Sequence, residues 1–502
     1  MTIDEPVTAP EATTTIGAKA RRGFAWSTVG SLVLRVGNFG VGIIMARLLA
    51  PEQFGVFAVA LTVQTIVLAF VEMGLTADLV RLGNIRARAA TATTVAVGLA
   101  LIFATAMALL AGPMSEALGA GQAAPVVRVM SITLVLSALA TVPHAILQTG
   151  FRQSAQFAVD GSGLLVNTVA VLSLALLGFG AMSLALASVL SLATTCVLQY
   201  VITHTRPRFG FDREVATQLI RFGLPLALAN LLSWVVMNVD YVVVGWHSGP
   251  IILGTYVLAF NMASWPMSSL GLALRVVALP GFSQLDDKRR SAGLSLAAGL
   301  SFTLALLAGV LLSSLASVVI PFVYGDKWQA AAQALAGLAF FGALRVVFDL
   351  MATYLIAAGA TRAVLVVQVL WLLALGPAMV IGLDRWGLAG AGWAHVVIGV
   401  GIALPAYLLA VRSRGARPLA ILKNMAVPLI AVAPAMFAGY QISELFDMRL
   451  LALLSGGLAA SAVYLGIVFL WARRLLRRMR AVMDVEHDEE KQLGEPKLAA
   501  IA

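Results

Sequence analysis

The apolar residues of this chain come in long unbroken runs, not in the one-sided stripe of a soluble amphipathic helix. The stretches 89–112, 164–179 and 294–320 carry almost no charge. About 18 apolar residues in a row are enough for a helix to cross a bilayer. The pattern predicts an all-α, polytopic membrane protein with about fourteen transmembrane helices. Their cores fall near 24–48, 54–76, 89–111, 125–147, 156–178, 182–203, 218–246, 252–279, 293–321, 330–357, 363–383, 388–411, 419–440 and 450–472.

Composition agrees. The 502 residues are 60% hydrophobic and only 12% charged, and mean hydropathy is +0.93. The net charge of +10 does not point to nucleic acid, because the basic residues cluster at the ends of apolar runs and not on one face. One set of ends holds Arg21 and Arg22, Arg86 and Arg88, Arg152, Arg206, Arg208 and Arg213, Arg289 and Arg290, Arg362, Arg412 and Arg414, and the 471–480 segment WARRLLRRMR. The opposite ends hold only Arg47, Lys327, Arg385 and Arg449. The positive-inside rule then predicts both termini in the cytoplasm of a multi-pass protein of the cytoplasmic membrane. The first residues contain acids, prolines and threonines but no apolar core, so they read as a cytoplasmic tail and not a signal peptide. The acidic stretch after Met483 reads as disordered. Cys196 lies alone in an apolar run and reads as a structural thiol.

An internal repeat organises the chain. In LLAPEQFGVFAVA and HSGPIILGTYVLA, Pro51, Gly55 and Ala60 align with Pro250, Gly254 and Ala259, and Phe57 with Tyr256. A second pairing sets GFGAMSLA (178–185) beside GLAGAGWA (387–394). The predicted organisation is a tail at 1–22, an N-lobe of six helices at 23–210, a C-lobe of six helices at 211–415, two further helices at 416–472, and a basic then acidic tail at 473–502. Each half begins and ends on the same side, the parallel arrangement that some transporters use.

Four stretches resemble a known family: ARLLAPEQFGVFAVA, NVDYVVVGWHSGPIILGTYVLAF, VVALPGFSQLDDKRR and PFVYGDKWQAAAQAL, which together span most of residues 20–410. They are similar to the polysaccharide transporter (Wzx-type) flippases of the multidrug/oligosaccharidyl-lipid/polysaccharide exporter superfamily. The family usually places a basic residue near the end of the Asp-Tyr-x-x-x-Gly stretch; this chain has Trp246 and His247 there. The resemblance implies two six-helix lobes that alternate access around a central cavity. It implies a flippase that carries polyprenyl-diphosphate-linked oligosaccharide to the outer leaflet for surface polysaccharide synthesis. Membrane lipids, a polysaccharide polymerase and glycosyltransferases are its expected partners, and no cofactor is expected beyond a coupling ion, Na⁺ or H⁺. An ion-coupled exporter of drugs or other small molecules within the same superfamily is the alternative. An enzyme is disfavoured: outer loops are short, and no GxxxxGK[ST] motif exists for direct nucleotide use.

A diphosphate cargo calls for cations inside the protein. Arg35, Arg128 and Arg345 are the candidates. Arg35, Asn38 and Gly42 share one helical face, and Arg35 sits roughly 16 Å into its span, deep for a snorkelling side chain. Arg128 lies near a span end, where snorkelling competes with a binding role. Arg345 and Asp349 are spaced for an intrahelical ion pair, which could equally be structural. Asp160 and Asn167 share another face. Asn167 joins the substrate-binding candidates, and Asp160, Asn238, Asp240 and Asp349 are candidates for gating or ion coupling. Asp240 is costly within a span, so it needs a basic or hydroxyl partner, or a transported ion. Its aligned position in the first half is Val41. Glu72 and Asp78 read as interfacial. His144 and His395 lack metal-ligand spacing and read as packed or hydrogen-bonded.

Overall fold

The computed structural model describes residues 33–72, 75–82, 85–150, 152–284 and 287–494. The expectations for the N-terminal tail and for 495–502 lie outside them. The described residues contain helices and no strand. In chain order these are α1 (33–48), α2 (Pro51–Glu72), α3 (Leu75–Leu82), α4 (Ile85–Leu109), α5 (Ala111–Ala117), α6 (Ala124–Thr149), α7 (Gln153–Leu176) and α8 (Ala181–Thr203). Then follow α9 (Arg213–Gln284), α10 (Asp287–Ser314), α11 (Ala316–Tyr324), α12 (Ala331–Ala357), α13 (Thr361–Ile398), α14 (Leu404–Arg412), α15 (Pro418–Ile430), α16 (Val432–Ser443) and α17 (Arg449–Gly494). A π-helical stretch, Gly399–Ala403, joins α13 to α14.

Eleven helical stretches among the described residues are long and apolar enough to cross a membrane. The protein is therefore an all-α, multi-pass membrane protein. Helix is the form such segments must take, because each backbone N–H and C=O has to find its partner without water. Many hydroxyls follow the same logic: Thr65, Thr168, Ser188 and Thr303 each donate to the carbonyl four residues earlier. The longest stretch, Thr361–Arg412, has 52 residues and is broken at Gly387, so each part has the length of one crossing.

Glycine and proline set the breaks. Before α2, the Ala50 N–H donates to Gln53 Oε1 (3.1 Å) and Pro51 fills the first helical position, where no N–H is needed. The aligned position before Pro250 is Gly249, whose left-handed φ (78°, with ψ −179°) Ala50 does not share. A recurrence of torsions pairs Gly180 (φ 55°, ψ −131°) with Gly387 (φ 56°, ψ −139°). Only glycine adopts that conformation without strain, so matching torsions are a sharper guide to register than matching letters. They set Gly180, not Gly178, opposite Gly387, a two-residue correction to the alignment read from the sequence. In the corrected register Ser183 falls opposite Gly390 and Ser188 opposite His395.

The chain forms two compact units, Met1–Val235 and Val236–Ala502. In the first, Met45, Leu49, Val171 and Ala187 form one buried cluster, with Val41 and Phe54 packed on it. In the second, Phe302, Leu306, Phe348, Met351, Tyr407 and Tyr464 belong to one larger core. The last helices are part of that core. Tyr464 Oη donates to the Thr303 carbonyl (2.9 Å), and Asn424 Nδ2 to that of Ser295 (3.0 Å). One expectation is corrected: the acidic stretch after Met483 continues α17 as helix to Gly494. Its residues, among them Glu486, Glu489, Glu490, Lys491, Gln492 and Leu493, are good helix formers that extend an existing helix without a new nucleus.

Candidate functional site

Asp240 has a hydroxyl partner. α9 is not one smooth helix, since its backbone leaves helical geometry at Asn238 (φ −134°, ψ 15°) and again at Gly249. A break exposes the first N–H groups of the next turn. Asp240 stands there with the N–H groups of Asp240 and Tyr241 beside its carboxylate, as an acidic residue in a first helical turn should. Its side chain is buried, as are Tyr256 and His395. Tyr256 Oη donates to Asp240 Oδ2 at 2.9 Å. With its one proton so committed, the phenol oxygen accepts from His395 Nε2–H at 2.8 Å. His395 Nε2 lies 3.7 Å from Asp240 Oδ2, and His395 Nδ1 has no hydrogen-bond partner among the described residues. Arg345, half-buried on α12, is near enough for its charge to act on Asp240, Tyr241 and His395.

Aromatic rings enclose this network. Phe341 lies 4.6 Å from the His395 ring and meets Trp371 edge-on at 5.4 Å. Tyr241 packs edge-on against Tyr256 (6.2 Å) and Phe260 (5.5 Å). Low-dielectric surroundings strengthen each polar contact and raise the cost of breaking it. The network ties together the segment after Asn238, the segment after Gly249 and the second half of α13. Any shift among them must exchange or sacrifice these bonds.

The other predicted residues are dispersed. Arg35 and Asn38 are both exposed on α1, consistent with one shared open face. Arg128 is exposed in the first turns of α6. Asp160 accepts from Gln156 Nε2 at 3.0 Å on α7, and Asn167 is half-buried further along the same helix. Asn238 is the break itself. Asp349 is half-buried one turn after Arg345. His144 contacts Gln148 Nε2 at 2.9 Å, a hydrogen-bonded role as expected. Asp78, by contrast, is not an interfacial charge. It is buried with Arg88 at 2.8 Å, and Arg88 also reaches Gln218 Oε1 at 3.3 Å.

Sequence reading missed Tyr256 and His395 as partners of Asp240. The only signal was that both are polar in otherwise apolar helices; nothing in the spacing links them. It also missed the contact of His247 Nε2 with Asp384 Oδ1, 3.0 Å apart beside the Gly249 and Gly387 turns. Two cavities flank the second unit's turns. One is an apolar groove of about 540 Å³ lined by Ile381, Trp386, Trp393 and Val397. The other is a polar pocket of about 490 Å³ lined by Asp326, Gln329, Glu444, Asp447 and Arg449. No cluster of three or more metal-ligating side chains occurs among the described residues.

A repeated, all-helical, multi-pass chain with a buried polar network in one repeat has the architecture of a membrane transporter. Residues 44–333, more than half of the chain, match the family described as "Polysaccharide biosynthesis protein", and the chain belongs to that family. The succinoglycan biosynthesis transport protein ExoT of Rhizobium meliloti (strain 1021) is 30% identical over 328 residues. That alignment takes in 63% of this chain and 65% of the relative, so the chain spans just under two thirds of that protein's length. The lipopolysaccharide biosynthesis protein WzxC of Escherichia coli is 23% identical over 363 residues, 68% of this chain and 70% of the relative. Among solved structures, the lipid II flippase MurJ in an inward closed conformation superposes with a TM-score of 0.72 over 90% of this chain and 99% of that one. At 14% identity this likeness concerns the fold alone.

Proposed function

We propose that this protein is a flippase that moves polyprenyl-diphosphate-linked oligosaccharide across the cytoplasmic membrane for surface polysaccharide synthesis. The observation that carries the reading is the family match over residues 44–333. The named role of the Rhizobium relative in succinoglycan transport supports it. The cargo's prenyl tail can remain in lipid, but its diphosphate and sugars need a polar route. In this reading Arg35, Arg128 and Arg345 attract the diphosphate, Asn38 and Asn167 bond to the glycan, and access alternates between the two sides of the membrane. The Asp240–Tyr256–His395 network, with Asn238 at its helix break, is a gating contact and not an ion site, a reading supported by the Tyr256 hydroxyl that donates to Asp240 Oδ2 and is itself bonded to His395. Asp160 and Asp349 act as further gating groups.

The proposed topology has fourteen spans in two six-helix lobes plus two C-terminal helices, with both termini cytoplasmic. The break at Gly387 within Thr361–Arg412 supports it, as does the alternation of basic residues along the chain. A reporter joined after Arg480 is expected to be active only in the cytoplasm. Activity only outside the cell overturns the map.

The function is tested by deleting the gene and extracting the lipid fraction. Loss of surface glycan, with a lipid-linked oligosaccharide accumulating in the inner leaflet, is the expected result. Restoring the gene with Arg35→Ala leaves the protein in the membrane but does not restore display. Unchanged display in the deletion strain refutes the reading.

A further inference from the structure

The connector between α8 and α9 is held firmly by its backbone yet presents large apolar side chains outward. α8 ends at His204, a left-handed residue (φ 52°), with the Thr205 N–H returning to the Tyr200 carbonyl at 3.2 Å. Arg152 Nη1 takes up the Ile202 carbonyl at 3.2 Å. Further on, the Gly210 N–H donates to Thr94 Oγ1 (3.0 Å) and the Asp212 N–H to Thr91 Oγ1 (3.1 Å), both on α4. Gly210 lies so close that an added Cβ would meet the Ala90 side chain at 3.2 Å. Asp212 is spent on capping α9, accepting from the N–H of Glu214 (2.8 Å) and Val215 (3.2 Å).

Between these fixings, Phe209 is 63% and Phe211 70% exposed, and Arg206, Arg208 and Arg213 are exposed around them. A solvated loop gains nothing from two exposed phenylalanines on a tethered backbone. A loop at the membrane surface does, because rings can enter the acyl boundary while guanidinium groups meet phosphate. The connector cannot leave that surface, since only nine residues, 204–212, separate a membrane-crossing helix from the start of α9. We propose that residues 206–213 form a binding site for anionic phospholipid, with Phe209 and Phe211 inserted among the acyl chains and Arg206, Arg208 and Arg213 on the headgroup phosphate. Opposite charge and enforced proximity favour lipid over a soluble protein as the occupant. The assignment does not depend on what the protein transports.

The test uses the full-length protein with its buried Cys196 replaced by serine and a single nitroxide-labelled cysteine at position 209 or 211. The protein is reconstituted in vesicles of pure phosphatidylcholine, or of equal parts phosphatidylcholine and phosphatidylglycerol. In the anionic vesicles, both labels should be more accessible to oxygen than to a water-soluble nickel chelate. Labels equally open to the chelate in both vesicle types overturn the proposal and mark a solvated loop or a docking site for a cytosolic protein. A second measurement leaves both phenylalanines in place. Phosphatidylglycerol retained by the purified protein in native mass spectrometry should bind about fivefold more weakly for each of Arg206→Ala and Arg208→Ala. Equal retention by wild type and the double variant also overturns it.

Discussion

The two units build the same turn in different materials. At Gly180 and Gly387 the backbone torsions agree within a few degrees, yet the side chains around them do not. In the first unit the positions opposite Asp240, Tyr256 and His395 are Val41, Phe57 and Ser188. None of these completes a polar network, and Ser188 simply returns its hydroxyl to the Leu184 carbonyl at 2.8 Å. The first unit instead places its buried charge elsewhere, as a pair of Asp78 with Arg88. A carboxylate met by a guanidinium is neutralised locally. One met by a phenol and an imidazole, with Arg345 acting nearby, depends on the positions of three segments. The first arrangement suits a fixed scaffold, and the second suits an element that must rearrange.

The largest effect should come from the closed pair. Arg88→Ala takes the guanidinium away from the buried Asp78 carboxylate, at a cost of about 3–5 kcal/mol. The Asp78→Leu, Arg88→Leu double variant should recover most of that loss in thermal unfolding in detergent. Equal destabilisation by the single and double changes would show that the pair is not a closed unit.

Next comes the glycine difference. A Cβ on Gly390 would lie 1.9 Å from the Gly382 carbonyl oxygen, and backbone cannot yield as a side chain can. Gly390→Ala should therefore cost about 3 kcal/mol, the upper end for overpacking. Its counterpart Ser183 already carries a side chain, buried and bonded to the Gly180 carbonyl at 2.6 Å. Ser183→Ala should cost about 1 kcal/mol. Similar melting temperatures for the two variants would erase the distinction drawn between the turns.

Tyr256→Phe removes the hydroxyl shared by Asp240 and His395 and should destabilise by about 1–3 kcal/mol, with reduced glycan display. Asp240→Asn keeps an acceptor for Tyr256 and should retain display, whereas Asp240→Leu should lose it. If the asparagine variant alone loses all gradient-dependent transport while folding normally, Asp240 is an ion site and not a gating contact. The smallest effect belongs to His247→Ala. Its partner Asp384 is 59% exposed, so the pair should contribute less than about 1 kcal/mol.

Much of the fold was legible in the sequence because hydrocarbon thickness leaves a coarse, strong signal. Apolar runs located the helices, and Pro51 and Pro250 located a helix start in each half. The Gly180–Gly387 register was misread by two residues because glycines abound near both turns: Gly178 also has a positive φ (86°), and only Gly180 matches the φ of Gly387. Asp240 stood out as a cost needing a partner, and a hydroxyl was among the partners expected. Which hydroxyl could not be read, because His395 reaches Tyr256 across 139 residues of chain and no periodicity spans that distance. Asp78 misled for the opposite reason: its place near a span end suggests an interface, and its burial depends on how α4 packs.

The π-helical stretch Gly399–Ala403 bears on how the gene can change length. A π turn holds more residues than an α turn, so it amounts to an insertion stored inside a helix. Most single-codon deletions within a membrane helix shift everything downstream out of register. A deletion inside 399–403 could instead be absorbed by return to an ordinary helix. It would leave both His395 and Tyr407 facing as they do, with Tyr407 still stacked on Phe348, now at 5.5 Å. Length variants of this gene should therefore concentrate at that turn, and those that keep transport should need no compensating change at Phe348 or Tyr407.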